Sequence, residues 1–290
     1  MTTAPDRARA TQRPREFLVG LARAFGGAVF FSIPLLMTME MWWLGFYMDR
    51  ARLAILLAVM IPLLIALDHY VGFKHTTSWT EDVVDGMVAY GVGIVASVVA
   101  LLLFNELNAE LPLREWVGKI ALQSVPASFG AVLAGSLLAG GENDDDKVAG
   151  PDSEEERVEE ASYGAELLFM TAGALFLGFS VSPTEEMILI AYSMTPWHAL
   201  ALALLTLALM HGFVYALEFQ GTPSVPAGTP GWSLFLRFTV VGYAIAVLVS
   251  GYVLWTFGRF ESAALAMHVT QTIVLAFPSA LGAAAARLII

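Results

Sequence analysis

Apolar runs of some twenty residues, set apart by short polar breaks, fill the chain from Phe17 onward. A helix needs ~20 apolar residues to cross a bilayer, so the pattern predicts membrane helices near 17–37, 51–71, 84–104, 115–139, 163–181, 197–218, 232–257 and 263–288. Two further apolar stretches, Thr38–Met48 and Pro183–Met194, are too short to span. They are expected to extend or cap the first and fifth helices near the outer surface. A continuous helix over 17–48 would run ~48 Å, well beyond the ~30 Å hydrocarbon core. A kink or break is therefore predicted, with Pro34 and Pro183 as its natural points.

The same pattern occurs twice. Thr38-Met39-Glu40-Met41 through Met48 aligns without gaps on Thr184-Glu185-Glu186-Met187 through Met194, with Phe46 opposite Tyr192. Upstream, Phe31-Ser32 matches Phe179-Ser180, two residues out of that register. Downstream, Tyr90, Ser97, Leu101 and Phe104 pair at one constant spacing with Tyr243, Ser250, Leu254 and Phe257. Pro126, Gly130 and Ala131 then pair with Pro278, Gly282 and Ala283. Three stretches in one order point to duplication of a four-helix unit. The expected fold is an all-α polytopic membrane protein, two tandem four-helix repeats related by a pseudo-two-fold along the membrane normal. Its parts are a basic tail (1–15), a first repeat (16–140), an acidic disordered linker (141–162) and a second repeat (163–290).

Composition agrees with the pattern. The 290 residues are 57% hydrophobic and 14% charged, whereas soluble domains carry roughly 25% charged residues. The net charge of −11 is local: 141–160 holds ten acids against Lys147 and Arg157, a net −8, which leaves −3 for the rest. That linker lacks the Asp/Asn alternation and central glycine of a calcium loop, and reads as a solvated spacer. With no cysteine, disulfides, thiolate metal sites and iron–sulfur clusters are excluded. No basic soluble face exists for a nucleic acid. Arg7, Arg9, Arg13, Arg15 and Arg23 favour a cytoplasmic N-terminus; an even number of spans returns the C-terminus to that side. The expected location is a plasma membrane, with the lipid bilayer as partner and a homo-oligomer as a further possibility.

Ala24-Phe25-Gly26-Gly27-Ala28 through Thr38-Met39-Glu40-Met41-Trp42, and Gly178-Phe179-Ser180-Val181-Ser182-Pro183-Thr184-Glu185-Glu186-Met187, resemble a bacterial family of integral membrane proteins of unknown function. The resemblance covers most of the chain after the tail. It implies class and location, and carries no chemistry.

Glu40 and Glu186 are the first candidates for chemistry, since both halves hold a carboxylate there. Brought together, two carboxylates could coordinate a cation or share a proton; at a wet interface they would do neither. Thr38 and Thr184 could add hydroxyl oxygens, or bond back to their own helix. Ser182-Pro183-Thr184-Glu185 reads as a capping box, with Ser182 as N-cap and Glu185 at the third position. His211, followed by Tyr215 and Glu218 on one helical face, could form a proton path or simply bond a neighbouring helix. Asp68, His69 and His75 read as a solvated helix end, with a metal site the weaker alternative. Glu81, Asp82 and Asp85 suit the positive end of the next helix. His268 and Gln271 share one side of the last helix and could line a cavity.

The sequence thus predicts a transporter or channel for a cation or proton, with no cofactor and Glu40 and Glu186 at its ion site. A non-transporting docking protein is the alternative, and an intramembrane enzyme the third. No His-Glu-x-x-His and no Gly-x-Ser-x-Gly motif supports the enzyme.

Overall fold

The computed structural model of the chain describes residues 4–71, 79–139, 155–215, 232, 235–261 and 263–287. Every element among them is helical: α1 (Ala4–Leu36), α2 (Met39–Tyr47), α3 (Arg50–Val71), α4 (Trp79–Leu103), α5 (Leu113–Ala139), α6 (Glu155–Val181), α7 (Glu185–Ser193), α8 (Pro196–Tyr215), a π-helical turn (Phe235–Val240), α9 (Val241–Thr256) and α10 (Leu265–Arg287). Eight segments are long and apolar enough to cross a membrane: Leu18–Leu36, Arg50–Tyr70, Trp79–Leu103, Leu113–Ala134, Tyr163–Val181, Pro196–Phe213, Phe235–Thr256 and Leu265–Ala286. They coincide with the predicted spans to within a few residues. Exposed Phe30, Val95, Leu103, Leu204 and Leu248 give such helices an apolar exterior that lipid covers, since a bilayer does not penalise exposed hydrocarbon.

The chain divides into two compact units, Met1–Tyr47 with Ala54–Ala149, and Met48–Leu53 with Gly150–Ile290. In the first, α5 is central and packs on α1, α4 and α2. In the second, α10 is central and packs on α6, α9, α8 and α7. Glycine sets both central contacts. A Cβ on Gly130 would strike the Gly27 carbonyl oxygen and Phe31, and one on Gly27 would strike Ala134. A Cβ on Gly282 would strike the Gly173 carbonyl oxygen and Leu177, and one on Gly173 would strike Ala286. Small residues let helix backbones touch where no hydrophobic effect drives them together. These contacts also correct the register of the upstream match. Leu177, not Phe179, holds in the second unit the place of Phe31 in the first, so the spacing of the Thr38/Thr184 alignment continues unbroken.

A second shared detail ends α4 and α9. Asn105 (φ 59°) and Gly258 (φ 72°) take the left-handed conformation. Glu106 N–H donates to Leu101 O and Asn105 N–H to Leu102 O; Arg259 N–H donates to Leu254 O and Gly258 N–H to Trp255 O. Both are Schellman caps, in which the two residues beyond the helix satisfy its last carbonyls.

The break between span and short helix falls elsewhere than predicted in the first unit. Pro34 lies inside α1, and the helix ends at Met37–Thr38. Thr38 N–H and Oγ1 both donate to Leu35 O, at 3.2 and 2.8 Å. Thr184 does the same to Val181 O, at 3.1 and 2.9 Å. The threonine therefore closes each span, and proline occupies the break only in the second unit, at Pro183. Pro126 and Pro278 both sit inside uninterrupted helices.

The acidic linker lies largely outside the described residues, but its last part does not. Residues 155–162 form the first turns of α6, where 141–162 was expected to be irregular. Glutamates are good helix formers and favour a helix N-terminus.

Candidate functional site

In the first unit, α3 and α4 bring four titratable side chains together. A Cβ on Gly86 would lie 3.0 Å from Ile65 Cγ1 and 3.2 Å from its Cα, so the two helices meet closely there. One turn along each helix, the same faces carry His69 and Asp82. His69 Nδ1 stands 2.7 Å from Asp82 Oδ2, with the Asp82 side chain 1% and the His69 side chain 44% exposed. Asp68 is also buried, within electrostatic reach of Asp85, Asp82 and His69. Helix ends favour this placement: Asp82 occupies the positive first turn of α4, and His69 the negative last turn of α3. Burial of Asp68 is the correction to the sequence reading, which took Asp68 and His69 for a solvated helix end; His69 stays half exposed. Ionisable groups inside membrane helices are costly and mark functional places. The usable signal lay in two matched four-residue steps, Ile65 to His69 and Asp82 to Gly86. His75 lies outside the described residues. Among the described residues no three His, Asp or Glu side chains are arranged to hold a metal ion.

The second unit places its histidine differently. His211, near the end of α8, has Nδ1 3.3 Å from Thr239 Oγ1 and its ring edge-to-face with Phe235 at 5.2 Å. Thr239 is buried in the π-helical turn, a widened geometry frequent at functional sites. Tyr163 Oη donates to Arg237 O at 3.1 Å, and the Arg237 guanidinium stacks 4.2 Å over the Tyr163 ring. Glu166, one turn beyond Tyr163, is buried; nothing in the sequence singled it out. The Tyr215 side chain and Glu218 lie outside the described residues.

Glu40 and Glu186 occupy the first turns of α2 and α7. Glu40 is half-buried, Glu186 is exposed, and each belongs to a different unit. Neither short helix is long enough to cross a membrane, so the cost of membrane burial supplies no argument for Glu186. Both threonine hydroxyls make the back-bonds described above. The capping box is corrected as well. The N-cap of α7 is Thr184, in extended conformation and without a side-chain cap bond. Ser182 lies two residues earlier, buried, and Glu185 is the first helical residue, not the third. The threonine break draws the start of α7 past the proline, which moves the frame of the box by two.

The two units also differ at the corner where the third and fourth spans of each join. In the first, Lys119 Nζ binds Glu106 Oε2 at 2.8 Å and Glu106 O at 3.1 Å. Trp42 Nε1 donates to Leu36 O at 2.7 Å and Trp116 Nε1 to Asn108 O at 3.1 Å, sealing a cluster of Leu36, Leu101 and Leu107. In the second, Arg259 stands at the Schellman position of Glu106 and donates through Nη2 to Pro183 O.

A family model described as "Putative integral membrane protein (DUF2391)" matches residues 20–290. Comparison with curated proteins and with solved structures found no match. Eight membrane-length helices and a match across nearly the whole chain agree, and the chain belongs to this family of multi-pass integral membrane proteins.

Proposed function

We propose that the protein is a proton-coupled membrane transporter, and that Asp82, His69 and Asp68 carry its proton. The observation that supports this is a buried carboxylate, Asp82, bonded to an imidazole at 2.7 Å within membrane-length helices. A carboxylate and an imidazole in contact pass a proton across a single hydrogen bond, and histidine is the side chain suited to this near neutral pH. The half-exposed His69 ring gives the proton a way to water, while Asp68 offers a second buried acceptor. Transport needs such groups to be reachable from one side at a time; the close Ile65–Gly86 contact is a natural barrier on the membrane side of the pair. In this reading both termini face the cytoplasm of a bacterial cell, and the pair lies at the cytoplasmic end of its helices. Glu40 keeps a separate place in the proposal, as a carboxylate that attracts cations at the other end of the first unit, and Glu186 does the same within the second.

The test is proton entry into proteoliposomes after an acid step, followed with a trapped pH dye. Asp82→Asn keeps the side-chain volume and removes the titration, and lowers the initial rate at least tenfold. His69→Gln does the same. Equal rates for wild type and Asp82→Asn, with equal amounts of reconstituted protein, defeat the proposal.

A further inference from the structure

The second unit contains a polar corner that its own residues leave incomplete. Three chain segments meet there: the end of α6 at Ser182–Pro183, the end of α9 at Thr256–Phe260, and the first turns of α10 at His268–Gln271. Arg259 Nη2 to Pro183 O ties the first two, and His268 Nε2 to Phe260 O, 2.9 Å, ties the last two. Phe179 and Phe257 pack edge-to-face at 5.3 Å beneath them. Ser182 and Thr256 are 0% and Gln271 1% exposed. Among the described residues Ser182 Oγ, Gln271 Oε1 and Arg259 Nε have no hydrogen-bond partner, while the Thr256 hydroxyl lies within reach of Tyr252 Oη. Leaving one such buried polar group unmet is costly, so three of them on segments tied together by these two bonds mark a site built for something further.

The charge around the corner says what. The nearest acid in sequence, Glu261, is taken by Arg52 at 2.9 Å, and Arg52 also lies over the Trp255 ring at 5.3 Å. Among the described residues no carboxylate pairs with Arg259. The corresponding corner of the first unit holds a carboxylate, Glu106, and a lysine to match it. Among the described residues, this corner keeps a cation that no carboxylate pairs with.

We propose that this corner binds a phosphate-type oxyanion. Arg259 supplies the charge and Nε–H, and the Ser182 hydroxyl donates to a further oxygen. Gln271 donates through its amide NH2 once the amide turns over. Guanidinium suits this role because its donors are planar and its charge permanent. The proposal rests on the second unit alone and is independent of the proton reading.

The probe is inorganic phosphate, added to protein delipidated in a phosphate-free maltoside detergent, with chloride at equal ionic strength as control. Wild-type Tm rises with phosphate and saturates, as binding to the folded state requires. Arg259→Gln loses the rise. Gln271→Glu also loses it, because the new carboxylate neutralises Arg259 from within, while its Tm without phosphate is at least that of wild type. Gln271→Glu therefore decides the matter should Arg259→Gln fail to fold. A second arm replaces phosphate with phosphatidylglycerol in the same micelles. A rise with inorganic phosphate identifies a soluble oxyanion; a rise with the lipid alone, lost in both variants, identifies a headgroup phosphate at the same corner. No rise in either arm, or a rise that both variants share with wild type, overturns the proposal.

Discussion

The two units use one framework and furnish it with different chemistry. Gly27 against Gly130 and Gly173 against Gly282 make the same backbone contact, and Asn105 and Gly258 end the same helix in the same cap. The polar residues on that frame diverge. At the spacing that pairs Phe104 with Phe257, the buried Asp82 of the first unit falls opposite Phe235 of the second, and Asp85 opposite Phe238. Glu106 falls opposite Arg259, while Lys119 falls opposite Gln271 at the spacing that pairs Pro126 with Pro278. Trp116 gives way to His268, and each donates a ring N–H to a carbonyl of the turn between the third and fourth spans of its unit. Backbone approach tolerates only small residues, so it limits change at the glycines. A polar site has no such restraint, and the first unit keeps an ion pair where the second, among the described residues, has none.

The largest effect should come from testing the shared frame. Gly130→Ala and Gly282→Ala each place a methyl where the partner backbone already stands, and overpacking of this kind costs about 1–3 kcal/mol. The two variants should lose similar stability in detergent denaturation. Gly26→Ala, with nothing within 4 Å of the new carbon, should lose none. A severe loss in one unit and none in the other would separate the frames. The middle effect concerns the corners. The Lys119 and Glu106 side chains are 10% and 25% exposed, so breaking their pair falls between surface and buried limits, about 2 kcal/mol. Glu106→Gln should show this in thermal melts, and the further change Lys119→Met should recover part of it. Arg259→Gln, with no carboxylate to orphan, should cost clearly less. The smallest effects belong to the short helix α7. Glu185→Gln removes an acid from a helix start, about 0.3–1 kcal/mol, and exposed Glu186→Gln should stay within about 0.5 kcal/mol.

Spans were legible because lipid demands long uncharged runs, and the glycine contacts Gly27–Gly130 and Gly173–Gly282 fall at positions the internal sequence match pairs. The exact break was not: Pro34 is the visible breaker, yet Thr38 ends the helix through its own hydroxyl. The capping box was misplaced for the same reason. The buried acids were hidden because Asp68 and Asp82 stand at helix ends, where a polar residue ordinarily meets water. Only the face shared with Ile65 and Gly86 turns them inward. The open corner at Arg259 was invisible for another reason, since no pattern in one chain shows which hydroxyls lack partners. Sequence did place His268 and Gln271 on one side of a helix, and both stand at the proposed corner.

The proton-carrying carboxylate is the claim most directly open to measurement. Infrared difference spectra across a pH step, on protein in bilayers, report protonated carboxyl groups through their C=O stretch. The signal should be present in wild type, lost in Asp82→Asn, and unchanged in the paired variant Glu40→Gln with Glu186→Gln. A signal kept in Asp82→Asn but lost in the paired glutamate variant would contradict the account and return the ion site to the repeated glutamates.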